Sequence, residues 1–362
     1  MKINYQTEMN KDNNYSNIGF IYFMTERDLF GYPCGPYVKI GLVKGNDDGR
    51  SSFDRRKEHQ TGNPREIIIE AEVKTHAQVS TLESLIHQRL AKNRIHGEWF
   101  NYGENGIHPY VELTKEINRD LESELENNLK INNYSEIQDN GEDIKPSSEA
   151  EDIYNEFLKV KAEFLKIKGD KDLAVLKLRS FNKEFCRDIE GICSYEKIKP
   201  SEKLESIIFQ KDHPDIYEKL CTKKIKGPLL IKKDLKQKFS KEFKDMQETI
   251  KIQKFLEDSS KRLLKRDDYA LKLHQDYLEA HALLQPIEYK KKLFENKLKL
   301  LTGENQGIQK ICSWKRRVTK NLSKNDLLNY DPELCQKYIT KKKSAIRFKV
   351  NDYRPYHFEF SD

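Results

Sequence analysis

The chain has 362 residues, 36% of them hydrophobic and 35% charged, with 66 Lys and Arg against 59 Asp and Glu and a formal net charge of +7. This polar composition excludes one large globular core and favours two or three units rich in exposed helix. No run of about 18 apolar residues occurs, which excludes a membrane-spanning helix. The first 20 residues lack a basic segment followed by an apolar one, so we expect no secretory signal and a cytoplasmic protein.

The charges are distributed unevenly. Residues 1–112 are about neutral, residues 113–155 carry about -8 and the remainder about +16. A strongly basic C-terminal part points to a polyanionic partner such as DNA, and the alternative is that its Lys-rich helices only keep the chain in solution. The six cysteines are scattered without zinc-ligand spacing, which predicts free thiols and no structural zinc.

Up to about Leu113 the sequence predicts a small α+β domain, a three-stranded antiparallel sheet flanked by helices in the order β-β-α-β-α. The predicted elements are, in chain order, Ile18 to Met24, Tyr37 to Val43, a helix from Phe53 to Gln60, Ile67 to Val73, and a helix from Thr75 to Asn93. Gly62 and Pro64 end the first helix and return the chain to the sheet. We assign residues 1–113 to this domain.

The rest of the chain predicts a linker and a mainly helical region. Residues 114–150 are acidic and rich in Asn and Ser, typical of a linker that begins with a frayed helix. Residues 151–238 and 239–362 predict two repeated modules, each a helical hairpin followed by short strands and a small helix that opens at a proline. The matched segments are Ile192-Cys193-Ser194-Tyr195 with Ile311-Cys312-Ser313-Trp314, and the turns at Pro214 and Pro332.

Several polar side chains fall on one surface of the predicted N-terminal domain. Alternation along a strand puts Tyr37 on the same face as Lys39. A spacing of four puts Arg55 and His59 on one side of the first helix, and Glu83 and His87 on one side of the second. The residues concerned are Tyr22, Tyr37, Lys39, Arg55, His59, Glu83 and His87. Phosphodiester cleavage needs a base for water, cations for the developing negative charge and a carboxylate for a divalent ion, and this set supplies all three.

The same segment resembles the GIY-YIG nuclease superfamily, within it the phage and mobile-element branch related to MUG-type domains in which KIG replaces YIG. The resemblance rests on five ordered motifs over about 85 residues, less than a third of the chain. They are Gly19-Phe20-Ile21-Tyr22, Tyr37-Val38-Lys39-Ile40-Gly41, Arg55 to Pro64, Leu82-Glu83-Ser84-Leu85-Ile86-His87, and Gly97-Glu98-Trp99-Phe100.

The resemblance implies a role for several of these residues. Tyr22 corresponds to the tyrosine that orients or deprotonates the attacking water, and Arg55 to the arginine that stabilises the transition state. Glu83 corresponds to the glutamate that binds one divalent ion, Mg or Mn. Lys39 stands where better-known members have a second tyrosine, for which Tyr37 is a partial substitute.

The remaining motif positions are assigned less specifically. His59 corresponds to a histidine found in some homing endonucleases, and His87 and Glu98 fit the pattern of the branch without an assigned role. The last motif predicts a packing element that closes the domain. The glycine of the first motif lies one place further from Tyr22 than in a strict GIY, with Phe20 in its slot.

Together these features predict a metal-dependent DNA endonuclease acting on phage or mobile-element DNA, in defence or recombination. The C-terminal part resembles the accessory tail of YqaJ-type phage exonucleases. We expect it to bind DNA, or else a partner protein or a second copy of the chain. The expected nucleic-acid contacts are Arg56, Lys57, Lys315, Arg316 and Arg317. The alternatives are an inactive nucleic-acid-binding or scaffold protein, and a nuclease recruited by a partner.

Overall fold

The computed structural model describes residues 19–44 and 50–354, which divide into two compact units. The first unit comprises the described residues of Met1–Glu126, Gln275–Pro286 and Asn351–Asp362. The second comprises Asn127–His274 and Ile287–Val350. Ile18, the first residue of the first predicted strand, lies outside the described residues.

The first unit is an antiparallel sheet flanked by helices. Its elements are β1 (Gly19–Arg27), β2 (Tyr37–Lys44), α1 (Ser52–Gln60), β3 (Glu66–Thr75), α2 (Val79–Arg89), β4 (Arg94–His96), β5 (Trp99–Asn101) and α3 (His108–Ser123). The strand order is β3-β1-β2-β5-β4, and every pair is antiparallel. The predicted α+β class is confirmed, with two short strands, β5 and β4, added to the three that the sequence predicts.

The sheet has an apolar core on one face, and Tyr22 and Lys39 lie on the other. Side chains alternate along a strand, so Ile21 and Phe23 of β1 point into the core together with Val38 and Ile40 of β2. Helices α2 and α3 complete this core. Tyr22, between the two core residues of β1, therefore points to the opposite face, where it packs in a smaller cluster that includes Met24, Val43 and Ile67.

The predicted linker over residues 114–150 is wrong, because this segment is folded. It contains most of α3, whose Thr114 and Ile117 are buried. It also contains α4 (Leu125–Ser135), with Ile131 buried, and the short strand β6 (Asp143–Ile144). The acidic composition hides an apolar stripe at helical spacing, and that stripe is sufficient to pack these helices.

The second unit is built from two copies of one series of ten elements. After α4 and β6, the first copy continues with α5 (Ser148–Arg179), β7 (Asp188–Ile189), β8 (Cys193–Ile198), β9 (Glu202–Leu204), α6 (Ser206–Asp212), α7 (Pro214–Leu220), β10 (Thr222–Lys226) and β11 (Leu230–Ile231). The second copy contains α8 (Lys241–Ile252), the additional turn α9 (Ser259–Arg262), β12 (Leu263–Leu264), α10 (Asp268–Thr302), β13 (Gly307–Ile308), β14 (Cys312–Ser313), β15 (Arg317–Asn321), α11 (Lys324–Tyr330), α12 (Pro332–Lys337), β16 (Ile339–Lys341) and β17 (Ala345–Val350).

The two copies exchange strands reciprocally. Strand β6 pairs with β13, and its counterpart β12 pairs with β7, both in parallel. Strand β11 pairs with β14 and β17 with β8, both antiparallel. Strand β10 pairs with β15 and β16 with β9, again antiparallel. Each copy thus completes the sheets of the other, as the subunits of a strand-exchanged dimer do.

Local details repeat at equivalent positions. Ser147 and Asp267 cap α5 and α10, each accepting a hydrogen bond from a backbone N–H three residues ahead. The turns between β7 and β8 and between β13 and β14 each place one residue in the left-handed region, Gly191 in the first copy and Lys310 in the second. The repeat is therefore a repeat of structure, although the side chains have diverged.

The predicted helical hairpins are wrong, because each copy contains one continuous long helix. Gly169 and Pro286, of residue types that commonly interrupt a helix, lie inside α5 and α10. A Cβ at Gly169 would lie 2.7 Å from the side-chain amide of Gln237, so this glycine makes room for a neighbour instead of ending the helix. Within the described ranges, no helix is both long and apolar enough to cross a membrane.

Candidate active site

Helix α1 presents Arg55 and His59 toward the polar face of the sheet. A reciprocal capping box fixes the start of the helix: Asp54 N donates to Ser51 Oγ at 3.3 Å, and Ser51 N donates to Asp54 Oδ2 at 2.9 Å. At the other end the Gln60 amide accepts from Ile67 N at 2.9 Å, which ties α1 to strand β3. The spacing of four between Arg55 and His59 then puts both on one side of a fixed helix.

Two glycines allow close packing around β1 and β2, and one of them, Gly41, makes room for Tyr22. Gly41 is the register partner of Tyr22 on β2, and a Cβ at Gly41 would lie 2.4 Å from Tyr22 Oη and 2.6 Å from Cζ. No side chain fits at that distance. Gly19 meets a comparable limit, since its Cβ would lie 2.1 Å from the carbonyl oxygen of Val43. The glycines of the first and second motifs are thus explained by close packing around β1 and β2.

The Tyr22 phenol lies close to both Arg55 and His59 of α1. Its ring is fully buried, and Oη lies 3.4 Å from His59 Nε2. The Arg55 guanidinium is close enough to oppose the rise in the pKa of the phenol. Burial, followed by the negative charge of Glu98, raises the pKa of Tyr22. Burial, followed by the positive charges of Lys39 and Arg55, lowers the pKa of His59. Near neutral pH the pair is therefore a neutral phenol beside a neutral imidazole.

Lys39 and Glu98 form the second polar pair of the site. Lys39 Nζ lies 2.5 Å from Glu98 Oε2, and the lysine side chain is only 13% exposed. Burial alone would raise the pKa of Glu98, but the hydrogen bond and charge of Lys39 outweigh it, and the pKa is lowered. Glu98 follows Gly97, whose φ of +53° forms the tight turn between β4 and β5.

Glu83 is a half-buried carboxylate that makes no hydrogen bond or ion pair with any described residue. Burial, reinforced by the negative charge of Glu98, raises its pKa to about 7, against the opposing charges of Arg94, Lys39 and Arg55. A divalent cation would relieve this penalty. Magnesium typically takes one or two protein carboxylates and completes its shell with water and phosphate oxygens, so Glu83 beside Glu98 fits such an ion.

A cation held entirely by protein ligands does not fit this site. The described residues contain no group of three or more His, Cys, Asp or Glu able to hold a metal. A zinc-like site is therefore not formed by this part of the chain, whereas a magnesium-like ion that uses substrate oxygens needs fewer protein ligands.

His87, a predicted catalytic residue, has a structural contact. Its Nε2 donates to the carbonyl oxygen of Ile40 at 2.9 Å, and its ring packs against Phe100 with centroids 5.0 Å apart. Burial lowers its pKa to about 4, so it stays neutral. His87 fastens α2 to strand β2 and thereby positions Glu83, which lies one helical turn earlier.

The other predicted residues of the first unit lie around this group. Tyr37 shares a face of β2 with Lys39, is half-buried, and has its ring against Gly35, where a Cβ would lie 2.8 Å from it. On α1, Lys57 is exposed and Arg56 partly so, on the sides of the helix next to Arg55. The structure thus groups Tyr22, Lys39, Arg55, His59 and Glu83 by contact or charge.

The predicted nucleic-acid contacts of the second unit differ in burial. Lys315 and Arg317 are exposed. Arg316 is fully buried, and its guanidinium donates to the carbonyl oxygens of Tyr134, Gly303 and Asn305 at 2.9, 2.8 and 3.1 Å. The prediction that Arg316 binds nucleic acid is wrong, because its hydrogen bonds are used to join three chain segments.

Glu98 is a functional candidate to which neither the residue pattern nor the resemblance assigns a role. The motif around it predicts only packing, and Phe100 is indeed fully buried. The available signal was the glutamate itself: a charged residue in a tight turn beside two aromatic residues seldom serves the core.

Comparisons with known proteins agree with the extent of the first unit. The model of one protein family, described as the T5orf172 domain, matches residues 19–122, from β1 to nearly the end of α3. This domain is associated with phage nuclease-type domains. Neither the curated proteins nor the solved structures contain a match. The likeness of the C-terminal part to an exonuclease tail stays a prediction.

Proposed function

We propose that the first unit is a metal-dependent DNA endonuclease of the GIY-YIG type, directed at phage or mobile-element DNA. The single observation that carries this proposal is the contact of the Tyr22 phenol with His59, beside the charge of Arg55 and on the surface whose charges act on the unpaired carboxylate of Glu83. The T5orf172 match over residues 19–122 supports a phage-related nuclease-like or DNA-binding role.

The chain's own residues divide the work of hydrolysis. Tyr22 orients the attacking water and accepts its proton as its own phenolic proton passes to His59, whose lowered pKa keeps the imidazole free to receive it. Arg55 and Lys39 neutralise the charge that develops on the phosphate oxygens. Because these groups are fixed by packing and by α1, they need little rearrangement during the reaction.

Glu83, assisted by Glu98, would hold one Mg or Mn ion. When bound, such an ion polarises the phosphate and stabilises the departing oxygen. Glu83 must be ionised to do so, and its raised pKa means that the cation competes with a proton below about pH 7.

Cleavage of supercoiled plasmid by the purified full chain tests the proposal. We expect nicking or linearisation in Mg or Mn, abolished by EDTA and by Glu83→Gln. Glu116→Gln is the matched control, since Glu116 is an exposed carboxylate on α3 of the same unit, and it should leave cleavage unchanged. Undiminished cutting by Glu83→Gln, or a wild-type chain that binds the plasmid and never cuts it, would overturn the proposal.

A further inference from the structure

Strands β10 and β15 of the second unit form a separate two-stranded antiparallel ribbon. Its register pairs Thr222 with Asn321, Lys224 with Thr319 and Lys226 with Arg317. Because side chains alternate along each strand, these three pairs share one face of the ribbon. All six residues on this face, which we call the cationic face, are exposed.

The cationic face carries no acidic residue and leaves its charges unneutralised. The side chains of Lys224, Lys226 and Arg317 make no hydrogen bond or ion pair with any residue that the structure describes. The ribbon's other face differs, since its Lys320 forms an ion pair with Glu218 of α7. Lys226 lies directly opposite Arg317, and like charges in opposed positions destabilise a ribbon by themselves. An anion bound across the two would remove that repulsion.

The repeat supplies an internal comparison, because each of its ribbons takes one strand from each copy. The ribbon equivalent to β10–β15 is β16–β9, which pairs Lys341 with Glu202 and Thr340 with Lys203. There each cation has an acid beside it: Lys203 pairs with Glu205, Glu202 pairs with Lys324, and the charge of Lys341 also acts on Glu202. The repeat therefore keeps one ribbon geometry with two charge patterns, and only β10–β15 offers uncompensated positive charge.

We propose that the cationic face of the β10–β15 ribbon is a second nucleic-acid site, specific for duplex DNA and separate from the cleavage site. The major groove of B-form DNA admits a two-stranded ribbon, whereas that of A-form RNA is too deep and narrow for side chains to read. The face contains no aromatic residue on which unpaired bases would stack, which disfavours single strands. Lys224, Lys226 and Arg317 contact phosphates, and Thr222, Thr319 and Asn321 supply polar groups at the groove.

The salt dependence of duplex binding measures these contacts. Affinity of the full chain for a short DNA duplex is determined in EDTA, which separates binding from cleavage, at several salt concentrations. The test variant is Lys224→Gln/Lys226→Gln/Arg317→Gln. Each lost phosphate contact reduces the slope of log affinity against log salt by about 0.9, so the triple variant loses about 2.7. Between 50 and 200 mM salt, wild type should weaken about 40-fold more than this variant.

The equivalent ribbon provides a matched control. Lys203→Gln/Lys341→Gln/Lys324→Gln removes the same three charges and should leave the slope close to that of wild type. Lys224→Arg/Lys226→Arg keeps the charge and should keep the slope, which distinguishes loss of contact from loss of fold. An unchanged slope in the test variant, an equal loss in the control triple, or tighter wild-type binding to single strands, duplex RNA or an acidic peptide would overturn the proposal.

Discussion

The phenol of Tyr22 lies so close to the backbone of Gly41 that a single added methyl group would meet its oxygen at 2.4 Å. The two residues are register partners on adjacent strands, so neither can move without disturbing the sheet. The glycine of the second motif is thus a requirement for the position of the Tyr22 phenol.

Gly41→Ala should displace the Tyr22 ring and separate it from His59. Misplacement of a reacting group by about 1 Å can lower the rate about 100-fold, and we expect a loss of this size in DNA cleavage. Overpacking should destabilise the first unit by about 1–3 kcal/mol, measured by thermal unfolding. Gly169→Ala in α5 is the control, because only the flexible Gln237 side chain must move there. Wild-type cleavage by Gly41→Ala would contradict the assigned geometry.

His59→Gln should slow cleavage about 100-fold or more, the usual contribution of a general base. In saturating Mn, the wild-type rate should fall in acid as His59 takes up a proton, at a pH below the ordinary histidine range because its pKa is lowered. The variant should lack this acid limb. The measurement is the pH dependence of the single-turnover rate, and an acid limb that survives the substitution would remove His59 from the proton path.

Glu83→Gln should stabilise the cation-free protein at pH 8 and have little effect at pH 5. The folded-state pKa of Glu83 is raised from 4.5 to about 7, so between these values the folded chain holds a proton that the unfolded chain has released. Stability therefore falls as pH rises through this window, and the neutral amide avoids the loss. After allowance for the partial exposure of Glu83, we expect Glu83→Gln to raise the free energy of unfolding at pH 8 by about 1–2 kcal/mol. Each kcal/mol should raise the Tm by about 2–4 °C.

Manganese should raise the Tm of wild type and leave the Tm of Glu83→Gln unchanged, because only the carboxylate binds the ion. In Mn at pH 8, wild type should therefore be the more stable of the two proteins. Thermal unfolding with and without Mn, at both pH values, measures the two effects together. If Mn stabilises both proteins equally, Glu83 is not the ligand.

Arg316 and Arg317 should behave oppositely although they are adjacent. Arg316→Gln leaves buried carbonyl oxygens without donors and should destabilise the second unit by about 2–4 kcal/mol. Arg317→Gln should leave stability unchanged and weaken duplex binding, since this side chain is exposed. Urea unfolding and duplex affinity are measured for each variant. Equal stability of the two would contradict the structural role of Arg316.

The elements of the first unit are largely readable from sequence. Strands β1 to β3 and helix α1 fall within a few residues of their predicted limits, because apolar alternation and the Gly62 to Pro64 turn are local signals. The short strands β4 and β5 have no such signal, since three residues show no periodicity. The sequence assigns no role to Glu98 for a related reason: its ion pair with Lys39 joins residues 59 positions apart in the sequence.

The second unit is less readable because its order comes from distant pairings. The matched Ile-Cys-Ser segments predict a repeat, but nothing local indicates that β10 pairs with β15, about 95 residues away, and not within its own copy. Arg316 illustrates the limit of sequence-based prediction for a single residue. In the run from Lys315 to Arg317 all three side chains are basic, and only the fold decides which of them is buried.

The proposed activity is hydrolysis of DNA by Glu83 and the Tyr22 surface with one divalent ion. The most direct test is single-turnover cleavage of a DNA duplex by wild type and by Glu83→Gln across rising Mn concentration at pH 8. We predict a wild-type rate that saturates with one-ion dependence and a rate at least about 100-fold lower in the variant at every concentration. Equal rates in the two proteins, or no metal-dependent cleavage by wild type, would contradict the claim.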